Sequence, residues 1–162
     1  MDLFQKLGLH MLSWEDNMKE FVEEENISRN LKKGILKNGE TVLLLQTKKP
    51  NEITHENLIW IHHFLINRPF NFINLKYVLL KENKDFFFAY EKVGLNLKEY
   101  FEETDLSFEV RLLIFKQAVE IVYYLTYLDE NFSYFDFNLF FVEINSIQKL
   151  PILKLIPHCK NI

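Results

Sequence analysis

The chain has 162 residues, 48% of them hydrophobic and 26% charged, with a net charge of −4. That length suits one domain with a sizeable core, and four Gly and four Pro exclude a low-complexity or linker-rich chain. The acidic balance offers no basic field for nucleic acid, the single Cys159 excludes an internal disulfide framework, and no apolar run nears the ~18 residues of a membrane span.

In chain order, residues 1 to 22 place Phe4, Leu7, Met11, Leu12, Trp14, Met18, Phe21 and Val22 at roughly helical spacing. Glu15, Asp16, Lys19 and Glu20 stand opposite, so the spacing predicts a flanking helix over 1–20. No basic region precedes an apolar stretch there, so no secretory signal is expected; with a lone cysteine, a reducing, cytoplasmic setting is expected. Phe21 to Asn30 carries a first strand and its turn. Leu31 to Leu45, LKKGILKNGETVLLL, reads as a hairpin. Its turn is Lys37-Asn38-Gly39, where Asn-Gly supplies the positive φ angles of a two-residue loop.

Lys48-Lys49-Pro50 ends the hairpin. Thr54 caps a helix through NLIWIHHFLIN, with Glu56 near the positive end of its dipole. The helix stops before Arg68-Pro69. His62 and His63 diverge by about 100° on it and cannot chelate one ion together, so one half-buried and one exposed histidine are expected. Phe72 to Leu80 and Phe86 to Tyr90 pair across Glu82-Asn83-Lys84-Asp85. Gly94 frees the next loop, and Asn96 with Glu99 opens a short helix.

Ser107 caps a helix over Phe108 to Leu128 with Glu109 in its first turn. Its apolar residues run nearly all the way round, which predicts burial on most sides. The Phe-rich stretch Phe132 to Phe141 and a strand over Leu153 to Ile156 precede Pro157-His158-Cys159. His158 and Cys159 lack partners at finger-like spacing, so no metal site is expected.

The hairpin resembles the second and third small-lobe strands of protein kinases, V-Y-K-G-x-L-x-x-G-x-x-V-A-V-K, with Leu31, Lys33, Gly34, Leu36, Gly39 and Val42 in matching slots. Arg68 to Ile73 resembles the H-P-N-I turn with one residue inserted. Ala89-Tyr90-Glu91 stands where kinases place the gatekeeper, a spacer and the hinge acid, and Tyr124-Leu125-Thr126 where the central helix carries Y-L-H. The resemblance covers about residues 21 to 159. It implies an α+β fold: a small lobe over 21–92, with a five-stranded antiparallel sheet and one helix, then a partial large lobe over 93–162 that ends near the D-F-G position.

The same resemblance implies deleted chemistry. The lysine slot holds Leu45. The glycine slots fall near Glu24, Asn26 and Arg29, and Glu23-Glu24-Glu25 puts negative charge where phosphates would sit. The slot for the paired helix Glu falls near Ile59, with Glu56 about a turn early. Asn138 takes the metal-binding slot of H-R-D-L-K-x-x-N, and Ser133, whose pKa is too high for a base, takes the base slot. Asp136 replaces it only if the loop is three residues shorter. Pro157 stands at the D-F-G position, and the former nucleotide cleft is Asn26, Leu45, Ala89 and Glu91.

No catalytic residue, metal or cofactor is expected, and the implied function is a pseudokinase module for protein binding or scaffolding. A divergent serine/threonine kinase, or a fragment of one, is the alternative. It would use ATP and magnesium, with Asp136 as base and Lys48 reaching inward, although Lys48 faces the other side of a regular strand. A structural subunit of a larger assembly is the third reading. The chain stops about three residues past the D-F-G position, as a short form or a fragment. Its Phe108–Leu128 helix and Phe132–Phe141 loop therefore expose apolar surface for a protein partner or a second copy. Neither nucleic acid nor membrane is an expected partner.

Overall fold

A computed structural model describes residues 3–22, 31–47, 49–129 and 136–157. The fold is α+β, with a mostly antiparallel sheet and several helices. It divides into two compact units, one reaching Arg68 and resuming over Asn74–Lys92, the other formed by Pro69–Ile73 and Val93–Pro157. Among the described residues no helix is long and apolar enough to cross a membrane.

The first 22 residues correct the expected flanking helix. Only α1 (Leu3–Lys6) and α2 (Trp14–Asn17) are helical, and strands β1 (His10–Ser13) and β2 (Met18–Val22) follow each in turn. Gly8, at φ +80°, breaks the chain after α1. Ser13 caps α2 by accepting from the Asp16 N–H. A four-residue helix has no stability of its own, so the sheet decides this segment: β1 lies parallel to β5 (Leu75–Leu80), and β2 lies antiparallel to β3 (Leu31–Leu36). Among the described residues the sheet therefore has six strands, in the order β1-β5-β6-β4-β3-β2, and β1 is the addition to the expected five.

Strands β3 and β4 (Thr41–Thr47) form the expected hairpin, but its loop has three residues. The Leu36 N–H donates to the Glu40 carbonyl, the Gly39 N–H donates to the Leu36 carbonyl, and Gly39 alone has positive φ, at +89°. This is a turn closed by one left-handed residue, so Asn38 keeps an ordinary φ. The β5–β6 hairpin repeats the pattern, with Lys81 bonded to Asp85 and to Lys84, and β6 spanning Phe86–Glu91. There the left-handed residue is Lys84, at φ +70°.

A side chain in that conformation costs about 1–2 kcal/mol, and glycine returns about half of the relief through unfolded-state entropy. Lys84→Gly is therefore expected to raise stability by about 0.5–1 kcal/mol. The check is a higher denaturation midpoint at constant slope.

Between β4 and β5 runs α3 (His55–Asn67). Thr54 and Asn57 close a capping box, and Arg68 ends the helix in a left-handed conformation. Asn57, Trp60, Ile61 and Phe64 are its buried face.

In the second unit, α4 (Leu97–Glu103) is capped by Asn96 and α5 spans Phe108–Leu128 behind its Ser107 cap. Strands β7 (Leu95–Asn96), β8 (Phe140–Ile144) and β9 (Pro151–Leu155) make a three-stranded antiparallel sheet. The segment Pro69–Ile73 joins it: the Ile73 N–H donates to the Leu155 carbonyl and the Leu155 N–H to the Asn71 carbonyl. Helix α5 packs on β9 through one face, and only Ile114, Ile121 and Leu125 are buried. Burial on most sides is thus corrected: the helix is apolar nearly all round, yet β9 covers just one side.

Candidate functional site

Within the first unit, the residue that the resemblance would set at a lysine slot is sealed. Leu45 is 3% exposed, with Leu31 and Phe88 as its cross-strand partners. Directly paired residues share a face and successive residues alternate. Leu43, Leu45, Phe88 and Tyr90 therefore stand on one face, where the Phe4 ring meets Phe88 edge-on at 5.7 Å. Val42, Leu44, Phe87 and Ala89 stand on the other, against Leu12, Trp14 and Met18. Over Val42–Leu45 both faces of β4 are filled with hydrocarbon.

This register sets the residues of the expected cleft on different faces of the sheet. Ala89 pairs with Leu44 and Glu91 with Val42, so neither shares a face with Leu45. The neighbours of Leu45 and Leu43 on β6 are Phe88 and Tyr90, the latter buried, with its hydroxyl pKa pushed up by desolvation. The Glu91 carboxylate is engaged structurally, accepting from the Asn74 backbone N–H and side-chain amide at 3.3 and 3.1 Å. Glu56 and Ile59 both point outward on α3. Asn26, the other glycine slots and Lys48 lie outside the described residues.

His62 is exposed and His63 half-buried, with its pKa lowered by burial. Among the described residues no group of three His, Cys, Asp or Glu is placed to hold a metal ion.

Within the second unit, Asp136 and Asn138 do meet. Asp136 caps the 3-10 turn Phe137–Leu139, and its Oδ1 accepts from the Asn138 N–H at 2.9 Å and from Asn138 Nδ2 at 3.0 Å. The Asn138 carbonyl accepts from Asn96 Nδ2, whose Oδ1 accepts from the Lys98 N–H at the start of α4. Both site residues are thus committed to turn and cap geometry. Pro157, expected at the D-F-G position, is buried just past β9 and brings no ionisable side chain. Ser133, His158 and Cys159 lie outside the described residues.

Sequence reading missed two features. Gln117 is the polar residue on the packed side of α5, and its amide donates to the Pro151 carbonyl at 3.0 Å while accepting from the Leu153 N–H at 2.9 Å. It fastens the helix to β9; a glutamine amid apolar neighbours was the available signal. Lys81 lies over the Trp14 ring at 4.3 Å with Phe21 and Phe87 beyond, a cation–π contact between elements distant in sequence.

No protein-family model matches the chain, and no curated protein matches it either.

Proposed function

We propose that the chain is a catalytically inactive, kinase-like module that works by binding protein. One observation carries the reading: an aliphatic side chain fills the position at which a kinase needs its phosphate-gripping ammonium, and the rings of Phe88 and Phe4 close over that face. Five antiparallel strands with a helix between the third and fourth support the scaffold half of the argument. Phosphoryl transfer is driven by electrostatics, through a lysine, metal-bearing side chains and a positioned base. Leu45 and Pro157 bring none of these. Asp136, the base of the divergent-kinase reading, already accepts two hydrogen bonds from Asn138.

Binding function rests on the outward face of α5, where large apolar side chains stand in solvent. The test is thermal denaturation with and without millimolar ATP and magnesium. A ligand at 100 times its Kd adds about 2.7 kcal/mol of stability, a shift of several degrees for a domain this size. No shift is expected. A saturable rise in Tm would favour the ATP-binding alternative.

A further inference from the structure

A second binding site stands in the first unit, away from α5; it rests on the protein-binding reading and names the chemistry of one ligand. The parallel register of β1 and β5 pairs Ser13 with Leu80, so Trp14 and Lys81 leave the two strands side by side. Alternation puts Lys81 on the face of Leu79, and Leu79 pairs with Phe87 of β6. The Lys81 ammonium lies 4.3 Å from the centroid of Trp14, 5.4 Å from that of Phe87 and 5.6 Å from that of Phe21. The Trp14 ring in turn stands 5.3 Å from Phe21 and 5.0 Å from Phe87. Three rings from α2, β2 and β6 thus wall one cation, which makes an aromatic cage.

Its resident fits it poorly. A primary ammonium carries three donors and a tight hydration shell, and no described carboxylate forms an ion pair with this one. The oxygens of Glu15 take the Glu82 N–H and the Ser13 hydroxyl instead. An ammonium with methyl groups in place of its donors keeps the attraction to the rings and gives up less hydration. Beside the cage, and sharing Lys81 with it, lies a cavity of about 400 Å³. Met11, Leu12 and Leu80 are its apolar lining, and Glu15, Glu82 and Lys84 its other charged members. That lining suits the four-carbon stem of a lysine, which the shorter arm of choline would not fill. Strand β1, which forms one wall, is the outermost described strand of its sheet, and such an edge takes an extended peptide as an added strand.

We infer that the cage of Trp14, Phe21 and Phe87 binds the trimethyllysine of an extended peptide laid along β1. Lys81 is its built-in competitor, which the methylated head displaces and which swings out on its flexible stem.

NMR of the full chain, read at the Trp14 indole N–H, tests this. The probes are a short peptide with one trimethyllysine, its unmethylated twin and choline, each to about 5 mM, which reaches millimolar affinity. A saturable shift is expected with the methylated peptide, and binding weaker by about tenfold or more with its twin. Lys81→Met keeps the stem and removes the charge. It should tighten binding about tenfold, the case of a cage left open about a tenth of the time. Phe21→Leu, at a 37% exposed position, removes one wall and should weaken binding several-fold with circular dichroism unchanged. No saturable shift in either the native chain or Lys81→Met overturns the site, as does equal binding of the two peptides. Binding indifferent to Phe21→Leu, or no tighter in Lys81→Met, overturns it too. Choline binding as well as the peptide overturns the peptide as ligand. Nucleotide binding would remove the non-catalytic reading while leaving the cage standing, and an inert cage would leave the filled Leu45 slot as it is.

Discussion

Leu45→Lys is expected to destabilise the chain by about 3–5 kcal/mol, the cost of an uncompensated buried charge. Total stability of a domain is about 5–15 kcal/mol, so a large share would be lost. The site is 3% exposed, its cross-strand partners are Leu31 and Phe88, and the ring of Phe4 lies on Phe88. An ammonium there would have neither water nor a carboxylate on its own face of the paired strands, since Glu91 of β6 stands on the other, and would shed its proton or unfold the sheet. Leu45→Met, which keeps volume and apolarity, is the control and should cost less than about 1.5 kcal/mol. Urea denaturation of the pair reads the difference. A lysine tolerated at the cost of methionine would mean that the face holds room and polarity for a cation, contrary to a filled slot.

Gly94→Ala is the second large effect. A Cβ at Gly94 would fall 1.7 Å from the Val142 carbonyl oxygen and 2.6 Å from its carbon, and φ there is +39°. The obstacle is backbone, so no rotamer change relieves it. Strand β8 must move, and the β7–β8 pairs Leu95–Val142 and Asn96–Phe141 go with it. Left-handed strain of about 1–3 kcal/mol combines with overpacking of similar size, for an expected loss of more than about 3 kcal/mol. Gly39→Ala separates the two contributions, because φ is +89° there but nothing lies within 4 Å of a Cβ. It should cost only about 1–2 kcal/mol. Equal losses at the two sites would show that close approach to Val142 is not what Gly94 provides.

Features written in neighbouring residues were legible in the sequence. Helix α5 begins behind Ser107 and ends at Leu128 as its cap and periodicity require, and α3 runs from its Thr54 cap to the residue before Arg68-Pro69. The β3–β4 hairpin was legible too, although loop length was not: whether Asn-Gly closes two residues or three depends on which carbonyl meets Glu40 and Leu36.

What failed depends on distant neighbours. The spacing of Phe4, Met11, Trp14 and Met18 suits a helix, yet the edges offered by β5 and β3 hold that segment as strands. Apolar residues around α5 say nothing of how much surface β9 can cover. The resemblance groups Ala89 with Leu45, but which face each takes is a matter of parity, and a one-residue offset in register sends a side chain to the opposite side. Asp136 and Asn138 were legible as a pair of interest; that their polar atoms satisfy a turn is visible only in three dimensions.

An amide-resolved NMR titration with magnesium ATP addresses the filled slot most directly. Resonances along Leu43–Leu45 and Phe88–Glu91 should stay in place up to millimolar nucleotide. Saturable shifts confined to those residues would contradict the account, because they would place a ligand where Leu45, Phe88 and Tyr90 are held to leave no space.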